Sequence, residues 1–340
     1  MTSLEQTPFS VLDLSPILAG GTAGQALANT LDLAQHADQL GFTRYWLAEH
    51  HGMRGIASAA TAVVISHVAG GTQRIRVGSG GIMLPNHAPL VIAEQFGTLE
   101  TLFPGRIDLG LGRAPGTDQA TMRALRRDSG ADGDQFPQML QELRAYFRPD
   151  LYSGGSKNVH AIPGEGLDIP IWLLGSSGFS AQLAGYLGLP FAFAGQFAPR
   201  SMQAALDLYR HTFRPGVLTE PYAMVGLNVI AADTDERAQF LATSQQRKFV
   251  DLIRGNPGPL DPPVENMDDY WQPHERASVA AQLGGSIVGS PVTVKAQLRE
   301  FLESSGANEI MVHAAIFDHA ERKRSYEIVA QIAGLAGQAR

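Results

Sequence analysis

Residues 74–113 read RIRVGSGGIMLPNHAPLVIAEQFGTLETLFPGRIDLGLGR. The stretch opens on an apolar, β-branched run, RIRVGSGGIML (74–84). A helical pattern follows at 88–102 and is stopped by Pro104-Gly105, where the chain turns into a second apolar run, RIDLGLGR (106–113). Neither run alternates apolar with polar residues as a half-exposed strand does. Both are nearly continuous, which is the pattern of parallel strands covered on both faces. The stretch is therefore one strand–helix–strand unit.

The same unit repeats on either side. FSVLDLS (9–15) and RYWLAEH (44–50) precede it, each followed by a helical pattern, at 24–40 and 58–69. In the first of these helices Ala26, Leu27, Thr30, Leu31, Ala34 and Ala37 fall at helical spacing, and Gly41 ends it. After helical material at about 118–147 come PIWLLGS (170–176), PFAFAGQ (190–196), YAMVGLNVIAA (222–232) and EIMVHAA (309–315), with helices predicted at 178–188, 199–213, 234–254 and 318–333. Eight strand–helix units predict an α/β fold, a closed (β/α)8 TIM barrel, in a single domain over residues 1–340. The rival is an open doubly wound sheet, but SPILAGGTAG after the first strand lacks the G-x-G-x-x-G spacing such a sheet usually carries. Two stretches exceed what a barrel needs. Residues 150–169 suggest a short hairpin before the fifth strand. Residues 255–290, after the seventh, are rich in Pro and Gly and then weakly helical, as expected of an active-site cover.

Composition narrows the chemistry. Apolar residues make up 44 % and charged residues 17 %, which excludes a disordered chain or a coiled coil. The net charge of −7 gives no general attraction for nucleic acid or anionic lipid, so any phosphate must be held locally. The absence of cysteine removes disulfides, thiolate nucleophiles and Cys-ligated metals. No apolar run approaches the length of a membrane span, and the N-terminus does not read as a signal peptide, so the expected compartment is the cytoplasm.

A barrel of this kind carries its function at the carboxyl ends of its strands. The fifth strand ends in Gly175-Ser176-Ser177-Gly178, directly before a helix. Helix N-termini present unpaired N–H groups to anions, so this is a candidate phosphate cradle; a plain N-cap is the simpler alternative. Arg113, at the end of the fourth strand, can pair bidentately with a phosphate, or with a neighbour such as Asp118. Glu49-His50-His51 ends the second strand and invites a metal reading. Neighbouring side chains on a strand point to opposite faces, and no second His or Asp cluster lies at the other ends, so no metal is expected. His50 reads instead as a catalytic or ligand-contacting residue, or as a polar residue at the rim; His87 and His313 also fall near strand ends. Gly80-Gly81 inside an apolar strand marks either a bend or the close approach of a ligand to the backbone. Trp46, Trp172, Phe191 and Phe193 lie within strands and read as core.

YWLAEHHG (45–52), VGSGGIMLPNHAPLVIAEQFGTLETLFPGRIDLGLGRAPG (77–116) and WLLGSSGFSAQLAGYLGLPFAFA (172–194) together resemble the bacterial luciferase-like flavin-dependent monooxygenases, over roughly residues 9–330. The resemblance is nearest to single-chain luciferase-like oxidoreductases of unassigned substrate. It implies FMN at the carboxyl face of the barrel. His50 falls on the family's catalytic histidine. Gly80 and Gly81 fall on the pair joined by a non-proline cis peptide beneath the flavin ring. Arg113 falls on the arginine that holds the flavin phosphate, and Gly175, Ser176, Ser177, Gly178 and Phe179 fall on the loop that completes that site. The chain departs from luciferase where it has Gly80-Gly81 for Ala-Ala, Gly112 for a reactive cysteine and Gly175 for a glutamate. Gln135 stands near a second phosphate arginine, a role open to Arg123, Arg126 or Arg127.

The activity implied is oxygenation of a small organic substrate by reduced FMN and O2, through a C4a-peroxyflavin, with the reduced flavin supplied by a separate reductase. His50 would serve as general acid or base. A homodimer is implied, paired through helices beside the second and third strands. Three other readings stay open: an oxidoreductase using the deazaflavin F420, a non-catalytic flavin carrier, and a metal-dependent hydrolase.

Overall fold

Each apolar run becomes a strand because both of its faces are covered. Every residue of β1 (Phe9–Asp13), β5 (Ile107–Gly112) and β8 (Ala223–Ala231) is buried. The computed structural model describes residues 3–114, 119–125, 133–154 and 158–335. The remaining strands are β2 (Arg44–Leu47), β3 (Arg76–Ser79), β4 (Ile82–Met83), β6 (Ile171–Gly175), β7 (Phe191–Phe193), β9 (Ile287–Gly289) and β10 (Glu309–His313). All their pairings are parallel. β1 pairs β2 and β10, and the ladder runs β2–β3–β5–β6–β7–β8 before β8 returns to β10. The sheet thus closes into the eight-stranded barrel expected from the sequence. Its third strand is interrupted at Gly80-Gly81, with β4 resuming the pairing to β5 through Ile82↔Leu111.

The helices that cover the barrel are α1 (Ala23–Leu40), α2 (Thr61–Gly70), α3 (Pro89–Leu102), α4 (Gln119–Ala124), α5 (Phe136–Phe147), α6 (Gly178–Leu187), α7 (Met202–Thr212), α8 (Asp235–Ile253), α9 (Pro273–Leu283), α10 (Pro291–Ser305) and α11 (His319–Ile332). α1 ends as expected, with Gly41 in the left-handed region at φ 89°. The main core lies between sheet and helices. A smaller cluster fills the barrel itself, built on Leu12, Trp46, Trp172, Met224 and Met311. Trp46 and Trp172 meet edge to face with centroids 5.2 Å apart.

Two stretches differ from the sequence reading. Residues 150–169 show turns and no strand among the described residues. They connect α5 to β6 at the amino-terminal face, away from the strand ends that carry function. Pro163 O sits so close to Gly97 of α3 that a Cβ there would lie 2.2 Å away, so the segment packs as a turn against a helix. Beyond the seventh strand, residues 255–290 hold α9 and β9, and α10 follows. β9 extends the sheet beside the end of β8, outside the barrel, through Val229↔Ile287. Met267 and Val279 build a small core of their own with Val250 of α8. Only the first part of this stretch reaches the barrel mouth. Leu260 N donates to Ile17 O and Leu260 O accepts from Ala19 N, both at 2.8 Å.

Two buried ionic networks brace the barrel. At the amino-terminal end, Arg44 pairs with Asp108 at 2.8 Å and Glu309 at 3.0 Å, both carboxylates being fully buried. At the carboxyl end of β1, Asp13 pairs with Arg322 at 2.8 Å and accepts from Tyr45 Oη at 2.6 Å and Thr30 Oγ1 at 2.7 Å. Burial alone would raise the Asp13 pKa, but the Arg322 charge and these donors outweigh it and hold the carboxyl at about 2. The folded value lies below the unfolded one. The stabilisation is therefore complete above pH ~4 and lost as pH falls toward ~2, amounting to roughly 2 kcal/mol. Denaturant midpoints measured across that window should fall with acid in the natural chain, and fall by about that much less in Asp13→Asn.

Candidate active site

The carboxyl ends of the strands surround a cavity of about 430 Å³. Its floor is apolar, formed in part by Leu12, Trp46, Leu174, Met224 and Met311. Trp46 and Phe193 serve both as core and as cavity wall, which extends the core reading made from sequence. Pro257 and Gly258 line the mouth, and a Cβ on Gly55 would lie 2.1 Å from Gly258 O. The 257–260 segment is thus laced to the loops after β1 and β2 and covers part of the opening.

Of the residues singled out by sequence, His50, Gly80, Gly81, Arg113, Gly175, Ser176 and Ser177 all line this cavity. Gly178 and Phe179 lie just outside it, at the start of α6. Phe179 still belongs to the site, because the Arg113 guanidinium carbon sits 4.3 Å from its ring centroid. The ring limits where the arginine can swing while leaving its N–H fork for an anion. Ser177 occupies the N-cap position of α6 and makes no side-chain cap bond. The first-turn N–H groups are therefore not taken up by it. A Cβ on Gly175 would lie 2.7 Å from Ser180 Cβ, so the glycine lets the strand turn tightly into the helix.

The Gly80–Gly81 peptide is cis, as the resemblance implied. Close packing explains the residue type. A Cβ on Gly80 would lie 2.9 Å from Leu12 Cδ1, and one on Gly81 would lie 2.8 Å from Gly110 O. The backbone approaches its neighbours as closely as a bare peptide permits, so alanines would crowd this site.

The EHH motif splits as strand alternation requires. His50 faces the cavity. Glu49 turns away, buried at 1 % exposure, and accepts from His51 Nε2 at 2.8 Å, His87 Nε2 at 2.9 Å, Asn86 Nδ2 at 3.1 Å and Met83 N at 3.0 Å. Burial opposes the Glu49 charge, but His87 and these donors prevail and lower its pKa. The ligand atoms of Glu49, His51 and His87 lie within 4.8 Å of one another, a juxtaposition that sequence spacing did not show. In this arrangement both imidazoles face one carboxylate, which accepts an N–H from each. The cluster reads as a clamp tying the loop after β2 to the loop after β4, which fixes the backbone on either side of His50 and beside the glycine pair.

Gln135 is exposed at the N-terminus of α5 and Arg123 is exposed on α4; Arg126, Arg127, Asp118, Pro115 and Gly116 lie outside the described residues. Among the lining residues that sequence reading missed are Asn228 and Lys248. Asn228 had a signal, as the one amide in the apolar run YAMVGLNVIAA. Lys248 had none, sitting in a charged helix.

A family model described as luciferase-like monooxygenase matches residues 7–309. The chain is 61 % identical over 330 residues to the Bacillus subtilis (strain 168) protein YvbT, covering 96 % of this chain and 97 % of that one. It is 53 % identical over 327 residues to a luciferase-like monooxygenase of Escherichia coli (strain K12), covering 95 % and 96 %. Among solved structures it is similar to apo-MsnO8, with 33 % identity, a TM-score of 0.85 and coverage of 97 % and 99 %.

Proposed function

Because the chain belongs to the luciferase-like monooxygenase family, we propose that it uses reduced FMN and O2 to oxygenate a small organic substrate in this cavity. The observation that carries the reading is the phosphate end. Arg113, braced on Phe179, stands beside a helix start whose N-cap serine makes no cap bond. An anion of phosphate size fits that donor set. Ser176 and Ser177 would add hydroxyl donors, and Gly80 and Gly81 would present bare backbone to the planar ring. Bound reduced FMN supplies the electrons with which one oxygen atom goes to water and the other to the substrate.

The protein's own part is positioning, exclusion of water and proton movement. The cover at 257–260 shields part of the opening, and the apolar floor disfavours water beneath it. His50 gives or takes a proton at an imidazole nitrogen. FMN is preferred to F420 on charge. F420 carries carboxylates beyond its phosphate, and among the described lining residues the Lys and Arg side chains are only Arg113 and Lys248, on opposite walls. We extend the reading to a separate reductase as the source of reduced flavin, a cytoplasmic location, and pairing of two copies. Val63 of α2 and Leu102 of α3 expose apolar surface suited to such pairing. Among the described residues no helix is long and apolar enough to cross a membrane.

Arg113→Met tests the phosphate assignment. FMN affinity should fall roughly tenfold to a hundredfold, as loss of a charged hydrogen-bond pair implies, while riboflavin affinity stays unchanged. Equal losses for both flavins would place the phosphate elsewhere.

A further inference from the structure

Across the barrel from Arg113, the wall formed by β8, β10 and α8 has a different character. Lys248 of α8 lines the cavity, and among the described residues its ammonium forms no ion pair and no hydrogen bond. The described lining contains no Asp or Glu at all. The nearby charge that acts on Lys248 is another cation, Arg322, already paired with Asp13. Burial and that cation lower the ammonium's pKa, a penalty that an arriving anion would relieve.

The polar neighbours on this wall do not neutralise it. Asn228 Nδ2 donates to Gln196 O at 2.6 Å, which fixes the amide so that Asn228 Oδ1 faces His313 Nδ1 at 3.0 Å. The imidazole must then carry its proton on Nδ1, leaving Nε2 as an acceptor. Burial, with Lys248 and Arg322 nearby, holds the His313 pKa down at about 3, so the ring is neutral at ordinary pH. Gln196 Oε1 is buried without a partner. The wall therefore presents one ammonium without a counter-ion beside neutral acceptors, at the far side of a largely apolar chamber.

We propose that Lys248 receives the acid group of the substrate, and that this chain acts on small organic carboxylates with an apolar body. The proposal rests on the flavin reading for its reaction but not for its binding site, since Lys248 lies across the cavity from the phosphate end. A half-buried cation without a counter-ion is costly to keep, and an apolar chamber strengthens its attraction for a carboxylate. The apolar floor accounts for the rest of the ligand.

The test compares hexanoate with hexanamide, which share a shape and differ in charge, by ligand-observed NMR titration of the protein with and without oxidised FMN. Hexanoate should bind at least tenfold more tightly than hexanamide. In Lys248→Met the two should bind alike, with hexanamide affinity and FMN affinity unchanged; Lys248→Gln guards against a misfolded variant. Equal binding of the two probes to the natural chain overturns the proposal, as does a carboxylate preference that survives in both Lys248 variants. So does a preference lost in Arg113→Met instead. If Lys248→Met weakens FMN as much as hexanoate, the lysine serves the cofactor and the proposal falls. The two readings fail separately. A Lys248-dependent carboxylate preference in a chain that binds no FMN sinks the flavin reading alone. FMN binding without that preference sinks this one alone.

Discussion

Replacing His50 by alanine is expected to leave FMN bound and to cut oxygenated product by about 10²–10⁴-fold, the range supplied by a positioned acid or base. The two effects separate because the relevant groups stand on different strands. The phosphate donors lie after β5 and β6, whereas His50 follows β2. Its backbone is held by the Glu49 clamp, built on His51 and His87. His50→Gln keeps a polar group of similar reach but cannot titrate, so it should be as inactive as alanine. Oxygen consumption should continue in both variants, with the electrons appearing as hydrogen peroxide. A His50→Ala enzyme that forms product at the natural rate would remove His50 from the mechanism.

Arg44→Met is expected to destabilise the fold by about 3–5 kcal/mol, the cost of leaving a buried carboxylate without its cation. Arg44 is the group that joins Asp108 of β5 to Glu309 of β10, across the inside of the barrel. Arg76 still reaches Asp108 at 2.7 Å, and Tyr222 Oη still donates to Glu309 at 2.9 Å. Glu309 thus loses its charge partner while Asp108 keeps one. The arginine also lies over the Trp172 ring at 4.8 Å, so packing is lost with the charge. Adding Glu309→Gln should recover much of the loss, because the remaining group is then neutral. Denaturant midpoints of the single and double variants measure both quantities. A loss below about 1 kcal/mol would mean that solvent reaches the network.

The barrel was legible because buried parallel strands leave continuous apolar runs, as in FSVLD and IDLGLG. Gly80-Gly81 was legible as a pair that strand propensity cannot explain, and the packing of Gly81 against Gly110 O supplies the reason. α10 was missed although its signals are present, Ser290-Pro291 at one end and Gly306 at the other. The Pro- and Gly-rich composition before it drew the reading toward an irregular cover. That stretch instead splits, with 257–260 at the mouth and α9 packed on α8. The Glu49–His51–His87 cluster and the Lys248 wall were beyond reach for a different reason. Both depend on which side chains the closed barrel brings together, and no local period encodes that. Lys248 looks like any solvent-facing lysine until the helix that bears it is laid across the strand ends.

The most direct measurement loads the protein anaerobically with reduced FMN, mixes it rapidly with oxygenated buffer and follows the flavin absorbance. Reoxidation slower than that of free reduced FMN, and faster when Pro257 and Gly258 are deleted from the cover, is the result expected of a flavin enclosed in this cavity. Reoxidation at the rate of free flavin, or no binding of reduced FMN, would contradict the assignment of this site to flavin-dependent oxygenation.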